Sequence, residues 1–183
     1  MRGVSAEASL IGPLGLPGSL VTVPDATGVV LFAHGSGSSR FSPRNRRVAE
    51  TLRERGLDTL LLDLLAAEEA EDRERVFDID LLADRVGMAL DWLVARLGPL
   101  SLPIGLFGAS TGAAAALQAA AMRPGQVAAV VSRGGRPDLA GKYLAEVRAP
   151  TLLIVGGDDR QVLALNRAAL QQLRCETRLD VVP

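Results

Sequence analysis

LPIGLFGASTGAAAALQAAAM, residues 102–122, is the stretch that decides the fold. Residues 102–107 form an apolar run bounded by turn formers, the pattern of a buried strand. Residues 112–122 are almost all alanine, glycine and leucine, and predict a helix slim enough to lie close against a sheet. Between them, Gly108-Ala109-Ser110-Thr111-Gly112 has the form G-x-S-x-G. A strand that becomes a helix over so few residues must bend sharply. The bend lifts the Ser110 hydroxyl clear of the sheet, and the two glycines remove Cβ atoms that would strike neighbouring backbone. A helix opening at Thr111 aims its free N–H groups at the same point, which favours a developing negative charge. Ser110 is therefore the candidate nucleophile.

The rest of the chain alternates in the same way. Residues 6–11 and 19–23 read as short strands joined by the turn GPLGLPG, and GVVLFA (Gly28–Ala33) as a buried strand. Residues 43–56 predict a helix with Ser42 as N-cap, Pro43 in its first position and Gly56 at its far end. A strand follows at 58–63, then an acidic loop or short helix at 66–75, then a long amphipathic helix at 78–97 that contains Trp92. Downstream come a strand at 127–132, a short helix at 139–147, a strand at 151–155, a helix at 161–173 and a last strand at 176–182. This order predicts one α/β domain over 1–183, a three-layer sandwich with a mostly parallel sheet covered on both faces. Chemistry in such sheets gathers beyond the carboxyl ends of the strands. That rule selects the loops after Ala33, Phe107, Ser132 and Val155.

Composition narrows the partners. Aromatics are only 3% against 48% hydrophobic residues, so the core must be built from Leu, Val, Ile and Ala. Twenty basic and 21 acidic residues leave a net charge of −1, which gives no field for a nucleic acid or an anionic membrane. The single Cys175 cannot form an internal disulfide; it reads as packing, and a reducing cytoplasmic setting is the expectation. No apolar run reaches the ~18 residues of a membrane span. Gly and Pro break up the first twenty residues, which read as mature sequence and not as a signal peptide.

Two further loops supply candidate chemistry. His34-Gly35-Ser36-Gly37 follows the strand GVVLFA. A serine that attacks a carbonyl needs two backbone donors for the oxyanion, and the amides of Thr111 and Ser36 are the candidates; losing one such donor typically costs about 10²–10³ in rate. Gly35 lets that backbone turn inward. After the strand 151–155 comes Gly156-Gly157-Asp158-Asp159, in which Asp159 can orient a catalytic histidine, cap the next helix, or both. Arg40, Arg44, Arg46 and Arg47 read as a solvated helix start or as attraction for an anionic substrate, and Arg133 stands at another strand end that could line the cleft. GSGSSR also has some character of a phosphate loop, but Arg40 replaces the third glycine of G-x-G-x-x-G, and no G-x-x-x-x-G-K-[ST] occurs.

VVLFAHGSGSSR, GLFGASTGAAAAL and TLLIVGGDDRQVLALNR together resemble the dienelactone-hydrolase-like branch of the α/β-hydrolase family, from about Val21 onward. The resemblance implies a Ser-Asp-His triad containing Ser110 and Asp159, a small ester-like substrate, and no metal or other cofactor. It also implies a histidine after the last strand, followed by a helix. The last strand here is ETRLDVV, Pro183 follows it, and His34 is the only histidine. His34 is expected to brace its loop, so weak or absent turnover is the expectation for these residues alone. The alternative is a non-catalytic binding or assembly module, with a sheet face left bare for a homo-oligomer.

Overall fold

The computed structural model describes residues 5–98 and 102–183. Gly12 and Gly15 adopt φ of 65° and 63°, and the turn they make folds β1 (Ser5–Ile11) back on β2 (Leu16–Thr22) as an antiparallel hairpin. The further strands are β3 (Gly28–Ala33), β4 (Leu57–Leu62), β5 (Ile104–Ala109), β6 (Ala129–Arg133), β7 (Thr151–Gly156) and β8 (Thr177–Val182). They complete one sheet in the order β1-β2-β4-β3-β5-β6-β7-β8, antiparallel at β1–β2 and β2–β4 and parallel in every other pair. This is the α/β architecture that the alternation predicts.

Element ends follow local chemistry. β5 begins two residues later than the apolar run suggests, because Pro103 has no N–H for the ladder; its carbonyl accepts from Val29 instead. The helix α1 (Pro43–Glu54) starts on the Ser42 cap and stops before Gly56, which takes φ 78°. The acidic stretch folds as two short helices, α2 (Ala67–Ala70) and α3 (Arg73–Phe77). The Asp78 side chain caps α4 (Ile79–Leu97) through the Leu81 amide. The expected helix at 139–147 is a 3₁₀ segment, Pro137–Glu146, kinked at Gly141. The remaining helices are α5 (Thr111–Met122) and α6 (Arg160–Gln172).

The two sheet faces are covered unequally. On one, α4, α5, the 3₁₀ segment and α6 bury a core that runs from Leu16 and Leu31 through Leu90, Leu106 and Leu117 to Leu153 and Ala169. Nearly every residue of α5 is buried, which its run of alanines permits by bringing the helix axis close to the sheet. On the other face α1 packs Ala49, Val48 and Leu52 against Phe32, Leu61 and Phe107. Beyond α1 on that face, Leu152 and Ile154 of β7 are half-buried and Val182 of β8 is exposed. Cys175 packs against the main core beside Thr151 and Thr177, as a packing residue should. No helix among the described residues is long and apolar enough to cross a membrane.

Candidate active site

The bend between β5 and α5 has the geometry its residue types demand. Ser110 stands at φ 52°, ψ −126°, one of two non-glycine residues with positive φ among the described residues, and its side chain is exposed at the carboxyl rim of the sheet. L-residues avoid this conformation, and where they hold it the surrounding structure imposes it. A Cβ built on Gly108 would stand 2.4 Å from Ala113 Cα, and one on Gly112 would stand 2.2 Å from the Ala33 carbonyl oxygen. The Arg136 N–H donates to the Ser110 carbonyl at 3.0 Å and ties the bend to the loop after β6.

The loop after β3 meets this bend. A Cβ built on Gly35 would lie 2.7 Å from Ser110 Cβ and 3.4 Å from its Oγ, so the two backbones touch only because residue 35 has no side chain. Thr111 is buried at the start of α5 with its amide beside Ser110 in the chain. The Ser36 amide is not open, contrary to the sequence expectation: it donates to the Thr111 hydroxyl at 3.0 Å. A substrate oxyanion would have to share or displace that bond.

His34 is committed to its loop. Nδ1 donates to the Gly35 carbonyl at 3.0 Å, and Nε2 accepts from the Leu64 amide at 3.1 Å. The lone pair a general base would need is thus already used. Burial pushes the imidazole below its ordinary pKa; the Gly35 carbonyl and Asp63 oppose this only in part. In the unfolded chain the ring takes up a proton near pH ~6.5. The unfolded state therefore binds more protons just below that pH, and stability is lost as pH falls from about 6.5 toward the lower folded value. We expect the thermal midpoint to drop over that window, and His34→Asn to start lower and lack that part of the slope. A slope unchanged in the variant would show that His34 is not held neutral.

The acid turn and the arginines sit as follows. Asp159 caps α6, accepting from the Val162 amide at 3.1 Å, and is exposed like Asp158. Gly157 N–H donates to the Val182 carbonyl at 2.7 Å, so the turn lies against the end of β8. No hydrogen bond joins Asp159 to His34 or Ser110 among the described residues. Arg40 does not offer a free charge: it pairs with Asp63 through both its amide and its guanidinium, and stacks on Phe41. Arg133 is half-buried over Phe107 and donates to Asn45 Oδ1 at 3.1 Å; burial and the charge of Arg44 lower its pKa, yet it stays a cation. No group of three or more His, Cys, Asp or Glu placed to hold a metal occurs among the described residues.

A dienelactone hydrolase from Anabaena variabilis, known from its crystal structure, shares 56% of its residues with this chain, covers all of it and 87% of its own length, and superposes with a TM-score of 0.93. The chain belongs to the dienelactone hydrolase family, within the α/β-hydrolases. A cold-adapted esterase from an Arctic intertidal metagenomic library has the same fold at 21% identity, with 100% of this chain and 87% of that one covered and a TM-score of 0.79. A protein of Mycobacterium tuberculosis named "Putative phosphoribosyl transferase" is 55% identical over 172 residues, 94% of this chain. The chain spans 39% of that relative's length. No family model matches the chain.

Within this family member the structure adds residues that motif reading passes over. Asn166, fully buried in α6, donates to the Gly135 carbonyl at 3.0 Å and to the Val162 carbonyl at 2.8 Å. Gly135 precedes Arg136, which holds Ser110, so Asn166 links the helix capped by Asp159 to the bend at Ser110. Buried Asn45 does similar work for Arg133. Both had a sequence signal: each sits inside an apolar stripe, with Val48, Ala49 and Leu52 after Asn45 and with Leu163, Ala169 and Leu173 around Asn166. A lone polar residue on a buried helix face needs a partner there.

Proposed function

We propose that this chain carries the nucleophile of a serine hydrolase that cleaves ester-like bonds through an acyl-enzyme on Ser110. The observation that carries the reading is the strained, exposed Ser110 facing Gly35 at the carboxyl rim. In the first step Ser110 Oγ bonds to the ester carbonyl carbon and its proton passes to a base. The carbonyl oxygen becomes an oxyanion beside the Thr111 amide, with the Ser36 amide as second donor once it leaves the Thr111 hydroxyl. Collapse breaks the carbon–oxygen bond and releases the alcohol, which takes the proton; water then frees the acid and restores the serine.

His34 does not serve as that base, since Nδ1 is bonded to the Gly35 carbonyl and Nε2 already accepts from the Leu64 amide. We assign the role to a histidine brought to the Asp159 turn from outside the described residues. The transferase name belongs to a relative of which this chain spans 39%. A phosphate-loop reading also lacks support: the helix after GSGSSR opens only at Pro43, with Ser42 already on its cap.

The test is p-nitrophenyl acetate hydrolysis by the longest natural form of the protein. A pre-steady-state burst matching the enzyme concentration, lost in Ser110→Ala, is the expected result. Turnover that survives Ser110→Ala, or no turnover at all, refutes the proposal.

A further inference from the structure

A cavity of about 360 Å³ lies on the β4 side of the loop that meets Ser110. Its floor is the loop itself, from His34 to Arg40, and its outer wall is apolar: Leu65, Ala67, Ala70, Val76 and Leu82. Gly35 belongs to both places, since it lines the cavity and abuts Ser110. A substrate whose carbonyl rests on Ser110 would therefore have this cavity directly across the loop backbone. Every ionisable group in the lining is compensated. Arg40 and Asp63 are paired, and His34 is kept neutral by burial with both nitrogens bonded. The cavity has no spare charge with which to hold an anion, and an unpaired charge placed there would lose its water for no partner.

We propose that this cavity is the specificity pocket of the site and takes the uncharged, apolar arm of the ester. The proposal rests on the hydrolase reading and fixes its substrate class. It also favours, of the two readings of the arginines after β3, the solvated helix start over attraction for an anionic substrate. One side chain positions the wall. Glu69 Oε1 accepts from Arg75 at 2.8 Å and from Arg85 at 2.9 Å, while Oε2 accepts from the Ala66 amide at 3.0 Å. A helix as short as α2 does not hold its shape unaided, so these contacts set where Ala67 and Ala70 stand. Both alanines are exposed, so a larger residue at either fills the cavity without entering the core.

The experiment measures phosphonylation of Ser110 by p-nitrophenyl alkylphosphonates with methyl, butyl and octyl chains, plus a chain ending in a carboxylate. The rate should rise by about tenfold or more from methyl to a chain that fills the pocket. The carboxylate reagent should fall behind its neutral counterpart. Ala70→Phe, and independently Ala67→Leu, should lower the octyl-to-methyl ratio by about tenfold. A ratio indifferent to both variants, or a faster carboxylate reagent, overturns the pocket while leaving Ser110 a nucleophile. If no reagent marks Ser110, the hydrolase reading fails instead. Butyl acetate titrated against the Leu65, Val76 and Leu82 methyl signals then decides the pocket. Shifts abolished by Ala70→Phe support it, and absence of shifts overturns it.

Discussion

Replacing Gly112 by alanine is expected to destabilise the chain by about 3 kcal/mol or more, at the upper end of overpacking effects. The new Cβ would stand 2.2 Å from the Ala33 carbonyl oxygen and 2.5 Å from that of His34. Both obstacles are backbone at the end of a central strand, so no rotamer change relieves them. Retreat of α5 is blocked as well, because nearly all its residues are buried and any shift would open voids among its alanines. Helix propensity works the other way and favours alanine over glycine by about 1 kcal/mol. The sign of the result therefore reports the close approach directly. Urea unfolding should show a lower midpoint with an unchanged slope. Gly156→Ala is the control: nothing stands within 4 Å of its would-be Cβ, and its effect should stay within about 0.5 kcal/mol. A Gly112→Ala protein as stable as wild type would mean that α5 does not press against the loop after β3.

Ser110→Gly should raise stability while removing reactivity. At φ 52°, ψ −126° a side chain costs roughly 1–3 kcal/mol, and glycine does not bear that strain. Against this stands the greater freedom of glycine in the unfolded chain, roughly 0.5–1 kcal/mol. A net gain of about 1 kcal/mol is expected. Ser110→Ala keeps the Cβ, and with it the strain, so its stability should match wild type within about 0.5 kcal/mol. Neither variant can form a covalent adduct. Equal stability for the glycine and alanine variants would show that the bend stores no strain.

The fold was legible because one short stretch constrains so much. Residues 102–122 could hardly be anything but a strand, a sharp bend and a close-packed helix, and the alternation on either side admitted only a layered parallel sheet. The hairpin followed from GPLGLPG. What the sequence misplaced were ends and states. Pro103 delayed β5, and the acidic stretch became two helices because Asp72 and Glu69 supply caps that composition alone does not reveal. At the site, Ser110 and its neighbour Gly35 were readable from spacing. The pairing of Arg40 with Asp63 was not, since 23 residues and a helix separate them in sequence. Nor was the Ser36 amide's bond to Thr111, which depends on the register of two distant loops. Asn166 was visible as a polar interruption of an apolar stripe, but its partner was not.

The most direct test is to treat the longest natural form of the protein with a fluorophosphonate and map the adduct by peptide mass spectrometry. One modified residue is expected, Ser110, with labelling absent in Ser110→Ala and retained, though slower, in His34→Asn, where the loop loses its brace but the base is elsewhere. An unmodified Ser110 in the folded wild-type protein, or an adduct on another serine that persists in Ser110→Ala, would contradict it.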